Sequence, residues 1–416
     1  MSSPATASAF GEITRLAGDR RVHQAFRWLH LQEQTVFAWQ QELVQVPAPP
    51  FGEQTRAEWL AARFHQIGLE DVSLDAIGNV TGVIRCGRPG ARCVLLSAHL
   101  DTVFPADTPI HPVIDGQRLQ APGACDNGSG IVGMLAIASA MLDACLHPGC
   151  DVIFIGNVGE EADGNLRGMR HIYQHAPFRE NIEAHIVLDG AGENVAVTQA
   201  LGSLRYRVTL TGPGGHSWTD AGLPNPIVLM SRIIARMAAV NLPSTPRTTF
   251  NVGTIEGGTS VNAIPERAAA NFDLRSTDPA QLIRLEVELY RAVEDAVQDA
   301  NRENAALRAE DGIPPAKRQE VRFDVEKMGD RPTGRLPETC RLMDLLHAVD
   351  RQLGLRTDIR VASTDANIPL YLGVPAVTLG AGGNGGGIHT RGEWYDASGR
   401  EFGLKRVLLL LLGVTG

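Results

Sequence analysis

From Val22 to Val44 the apolar residues recur at helical spacing, and the pattern stops at the loop PAPPFGE, whose three prolines withhold backbone donors. A second helix is predicted over 54–67. The stretches VTGVIRC and CVLLSAHL then read as strands, the second an apolar run of the kind found where both faces of a strand are buried. Beyond them the texture alternates: helix over 129–144, strand over 151–158, helix over 165–174, strand over 184–189. Such alternation predicts an α/β fold, a mostly parallel sheet sandwiched by helices.

Near residue 203 the pattern changes. LRYRVTLTG alternates like an antiparallel strand, a helix is predicted over 226–240, and FNVGTIEGG and AAANFDLRS read as two further strands. A long helix runs from Pro279 to about Asn301, and EVRFDVEKM completes a strand-helix-strand-strand-helix-strand order, which fits a small α+β sheet with both helices on one face. Past about residue 330 the first texture returns with a helix over 337–353, the strand VPAVTLG, a glycine-rich loop and a C-terminal helix. The expected division is a discontinuous first domain, 1–202 and 319–416, with an insert at 203–318.

Length supports that division, because 416 residues exceed what one hydrophobic core usually organises. The composition, 44% hydrophobic and 20% charged, is that of an ordinary globular protein. A net charge of −9 without a long Lys/Arg run lacks the basic footprint that nucleic acid or an anionic membrane would require. The N-terminus has no apolar stretch of signal-peptide length and the run Val407 to Leu412 is too short to span a bilayer, so a cytoplasmic enzyme is the simplest expectation. Six cysteines without a CxxC pair read as reduced thiols, Cys125 among them as packing rather than a nucleophile.

Candidate chemistry collects beyond predicted strand ends, where open α/β sheets bind ligands. In LLSAHLDTVFP, His99 could bind a metal while Asp101 orients its ring or a neighbouring base; a core histidine with its hydrogen-bonding aspartate reads equally well. In APGACDNGSG, Asp126 lies among glycines that let the backbone bend closely around an ion, although Asp or Asn there could simply cap the next helix. In IGNVGEEADGN, the side chains of Glu160 and Glu161 diverge, so one can hold metal while the other serves as general acid and base. Asp189 ends another apolar strand, and His389 emerges from GGNGGGIHT. Each alone is weak. Together His99, Asp126, Glu161, Asp189 and His389 make two imidazoles and three carboxylates, a set suited to zinc, cobalt or manganese. With Asp126 bridging, two divalent ions would each have three protein ligands and would acidify a water, so no Ser or Cys nucleophile is needed.

SAHLDTV, GACDNGSG, GEEADGN and GGIHT, in that order and rough spacing, resemble the M20 family of metallopeptidases, which includes peptidase T, carboxypeptidase G and the aminoacylases. The resemblance covers essentially the whole chain. It implies a zinc-exopeptidase-like catalytic domain with a ferredoxin-like lid and dimerisation domain. One metal would be held by Glu161, His389 and bridging Asp126, the other by His99, Asp189 and Asp126, with Glu160 as general base and Asp101 supporting it. It also places His216, in GPGGHSW, at the substrate oxyanion, often across a homodimer, and Asn262 and Arg275 at a substrate carboxylate. Asp rather than Glu at 189, with GEEADGNLRGMRH and STDANIP, is closer to peptidase T and the dipeptidases. The expected function is therefore a two-metal hydrolase of small peptides, an amino-terminal exopeptidase. An N-acyl amino acid amidohydrolase or carboxypeptidase is the nearest alternative, and a non-catalytic metal- or peptide-binding protein the more distant one.

Overall fold

In the computed structural model, which describes residues 4–88, 90–310 and 320–416, the run CVLLSAHL forms the strand Cys93–His99, buried at every position. It runs parallel to Asp151–Asn157 on one side and to Ile182–Leu188 on the other, and Ala376–Leu379 extends the parallel set. Antiparallel strands flank this set, Val80–Ile84 and then Glu70–Leu74 on one side and Val195–Ala200 on the other, where Gly334–Arg335 pairs antiparallel and Asp358–Ala362 parallel with Val195–Ala200. Alternate residues of the central strands meet different helices. Val94, Leu96, Val152 and Phe154 pack with Gly128–Asp143 and Arg400–Thr415, whereas Leu95, Ile153 and Ile155 pack with Leu166, Met169 and Ile172. Burial of both faces is why these strands read as continuous apolar runs.

Gly128–Asp143 is apolar all round and nearly wholly buried, as a helix at the centre of a large core must be. Asn127 caps it by accepting from Gly130 N at 3.1 Å. A Cβ on Gly130 would stand 2.1 Å from Asn127 Oδ1 and 2.8 Å from Leu188 O, so only glycine lets the helix start this close to the sheet. Gly130→Ala is expected to destabilise the protein by about 1–3 kcal/mol through overpacking, read as a lower urea midpoint at unchanged slope.

The helix expected across 22–44 is two helices, Arg20–Leu31 and Glu33–Leu43, joined at Gln32 with φ −98° and ψ 12°. Buried Leu29 and Val36, seven residues apart, stay in phase across the joint, so periodicity carries no sign of it. The edge strands Glu70–Leu74 and Asp358–Ala362 were not expected. Both are largely exposed and lack an apolar run.

Two compact units emerge, Met1–Ala200 with Gly334–Gly416, and Leu201–Thr333. The second has the order Gly202–Thr211, Pro226–Ala238, Thr248–Gly257, Arg267–Ser276, Pro279–Glu310 and Arg322–Arg331. Its sheet is antiparallel throughout, Thr248–Gly257 next to Arg267–Ser276, then Gly202–Thr211, then Arg322–Arg331, which is ferredoxin-like. Tyr206, Val208, Phe272 and Leu274 turn one face toward Ile233, Leu285 and Leu289 of the two helices. The boundary expected between 318 and 319 lies outside the described residues. The return to the first unit comes at Gly334 instead, because Arg322–Arg331 hydrogen-bonds along Gly202–Thr211 and so belongs to the insert. Among the described residues no helix is long and apolar enough to cross a membrane.

Candidate metal centre

Five segments end at one place on the first unit. His99 closes its buried strand, and its Nδ1 lies 3.1 Å from the backbone carbonyl of Asp101. Its Nε2 faces Asp126 Oδ1, 3.0 Å away, and Asp189 Oδ1 follows at 3.9 Å. Asp126 Oδ2 faces the other way and lies 3.1 Å from His389 Nε2, which is also 3.1 Å from Glu161 Oε1. Two groups thus have donor atoms within 4.8 Å of one another, His99, Asp126, Asp189 and Asp126, Glu161, His389, and Asp126 gives one oxygen to each. Glu160, with His99 and Glu161, forms a third such group.

The electrostatics fit divalent cations. Asp126 Oδ1 is buried and makes no well-aligned hydrogen bond to a described residue. Burial works against ionisation of Asp126, but His389 and His99 outweigh it and hold the carboxyl well below the usual range. Hydrogen bonds to Asp126 and Glu161 push the His389 imidazole up to about 10 against the opposing effect of burial. Burial likewise opposes charge on His99, and Asp101, Asp126 and Asp189 more than reverse it. Such concentrated negative charge is what cations neutralise, and two imidazoles with carboxylates suit zinc-like ions.

Asp101 does not point along the extension of its strand toward His99. Its Oδ1 accepts from Glu160 N at 3.0 Å and its Oδ2 from Glu161 N at 2.7 Å, with His99 Nδ1 farther off at 3.7 Å. It is fully buried, and although burial opposes its charge, His99 and the two amides keep its carboxyl low. The segment it clasps turns sharply at Gly159 (φ 65°), where a Cβ would meet Arg167 at 2.6 Å.

The sequence model of peptidase family M20/M25/M40 matches residues 95–412, which takes in all five segments. The chain belongs to this family. It is therefore a hydrolytic enzyme of the M20 metallopeptidase and amidohydrolase group. A Bacillus subtilis relative known as uncharacterized protein YqjE is 23% identical over 85% of this M20 chain and 91% of its own. The crystal structure of aminopeptidase PepT from Bacillus cereus superimposes with a TM-score of 0.72 at 20% identity, covering 92% of this chain and 99% of that one. A tripeptidase structure from Staphylococcus aureus gives 0.71 at 20% identity, covering 92% and 98%.

The remaining predicted residues of this M20 chain lie on the inserted unit. His216 and Asn262 are neighbours there, because Gly215–His216 pairs antiparallel with Ala263–Ile264 and Ser217 N donates to Asn262 O at 3.0 Å. His216 Nδ1 accepts from Trp218 N at 3.2 Å and Thr219 N at 3.3 Å, so this network puts the ring hydrogen on Nε2. Arg275 stands apart from them on Arg267–Ser276, its Nε 2.6 Å from Asp273 Oδ2.

Sequence reasoning missed two buried acids. Glu393 accepts from Gly123 N, Cys125 N and Asp126 N at 3.0, 2.8 and 2.8 Å, and burial pushes its carboxyl up to about 7. Asp365 accepts from Asn157 Nδ2 at 2.7 Å, and burial pushes it too up to about 7. A lone Glu just beyond a glycine-rich loop is the available signal for the first; the second lies in STDANIP, whose likeness to the dipeptidases gives Asp365 no role.

Proposed function

We propose that this M20 enzyme is a two-metal exopeptidase that removes amino-terminal residues from small peptides. The observation that carries this reading is the sharing of Asp126, one oxygen toward His99 and the other toward His389. Two divalent ions, zinc first and cobalt or manganese next, would be held by His99, Asp126 and Asp189 and by Asp126, Glu161 and His389. When bound they supply Lewis acidity that polarises the amide carbonyl and lowers the pKa of water.

Glu160 takes the proton from the attacking water and returns it to the leaving amine. Asp101 keeps it in place by holding its backbone amide. His216, with its hydrogen on Nε2, donates to the developing oxyanion; Asn262 beside it and, from elsewhere on the insert, Arg275 are the candidates for the substrate carboxylate, for which a guanidinium offers a bidentate fork. A homodimer formed through the insert and a cytoplasmic location complete the proposal. Likeness to the aminopeptidase and the tripeptidase supports the amino-terminal side over the acyl side.

The test is hydrolysis by zinc- or cobalt-loaded protein of free di- and tripeptides alongside N-acetylated amino acids, with and without chelator. Chelator-sensitive cleavage of the free peptides is expected. Cleavage of only the acylated set would move the enzyme to the amidohydrolases, and silence on both would point to a binding protein.

A further inference from the structure

Glu393 belongs to the segment that carries His389, four residues further along and immediately before the strand Trp394–Asp396. Its side chain is completely buried and leaves its own segment. Oε2 accepts from Gly123 N at 3.0 Å, and Oε1 accepts from Cys125 N and Asp126 N, both at 2.8 Å. Its backbone carbonyl adds a fourth tie, accepting from Ala121 N at 3.0 Å. Every one of these partners is in the short stretch that ends at Asp126.

The arrangement repeats, for the Asp126 segment, what Asp101 does for Glu160 and Glu161, whose amides it holds at 3.0 and 2.7 Å. Three converging N–H donors call for an acceptor-only group. A carboxylate offers lone pairs on both oxygens, whereas an amide would turn an NH₂ toward one of the donors and leave a buried N–H unpaired. Arg56, fully buried with its guanidinium on Val46 O and Leu100 O, lies in the field of both clasping acids and balances their charge inside the core.

We infer that Glu393 is a positioning residue, which by clasping the backbone at Gly123, Cys125 and Asp126 aims the Asp126 carboxylate so that one oxygen serves each metal position. It touches neither substrate nor donor atoms. Its effect reaches the chemistry only through Asp126, and for that reason it falls on both positions together. The Asp126 carboxylate spans 3.0 Å to His99 on one side and 3.1 Å to His389 on the other, so a turn that improves one contact spoils the other.

The inference rests on the two-metal reading of Asp126, and one experiment separates the two. Zinc binding to the full-length protein and to Glu393→Gln is followed by equilibrium dialysis against a competing chelator, with steady-state kinetics at saturating zinc. In the variant both zinc dissociation constants should rise in parallel, on the order of 10- to 100-fold, the usual cost of losing a support behind a metal ligand. At saturating zinc kcat should fall while KM stays. If the unaltered protein takes up two zinc ions and the variant weakens only one of them, or neither, the inference is wrong. If the unaltered protein takes up only one ion, the two-metal reading itself fails. Should Glu393→Gln not fold, the same constants are read on Glu393→Asp, which keeps the charge but is a methylene short; parallel weakening upholds the inference and unequal or absent weakening overturns it.

Discussion

Replacing Glu160 by alanine is expected to lower kcat by on the order of 100- to 10,000-fold, the contribution of a positioned acid–base group, with metal content unchanged. The structure makes this a sharp test, because the Glu160 carboxylate comes within 4.8 Å of the donor atoms of His99 and Glu161 and is close enough to bind metal itself. Proximity cannot tell a base from a ligand, whereas metal content can. Zinc measured by mass spectrometry after dialysis should match the unaltered protein. Loss of metal together with activity would make Glu160 a ligand and put the proton transfer elsewhere. The backbone should tolerate the change, since the amides of Glu160 and Glu161 remain held by Asp101.

Asp126→Asn should have the larger effect on metal. The amide keeps one neutral oxygen where the carboxylate presents two charged ones, so both positions should lose affinity by more than the roughly 10- to 100-fold that an outer support costs. Turnover should fall with them. His389→Ala is the informative contrast: among the described residues its Nε2 meets Asp126 and Glu161 alone, so only that position should empty, while His99, Asp126 and Asp189 keep theirs. Isothermal titration with zinc distinguishes one lost binding step from two, and loss of a single step in Asp126→Asn would show that its carboxylate is not shared.

Pattern along the chain alone identifies which side chains could form the centre and puts them at the ends of apolar strands. His99 closes a buried run and Glu160, Glu161 and Asp189 follow two others, and a run buried on both faces is legible because most of its positions are apolar. The order of elements in the insert was legible for the same reason: alternation along LRYRVTLTG and AAANFDLRS reports one buried face, and that face is the one under the two helices. Local pattern records how each residue is buried and nothing about which distant residue buries it. Tertiary structure therefore decided the rest. It set the joint at Gln32 that the unbroken periodicity conceals, the pairing that assigns Arg322–Arg331 to the insert, and the meeting of Asp126 with a histidine 263 residues away. It also turned Asp101 from the ring of His99 toward two amides, and brought Glu393 under Asp126. A carboxylate is committed by whichever N–H groups the folded backbone brings within reach, and those groups converge only when the sheet and its loops have packed.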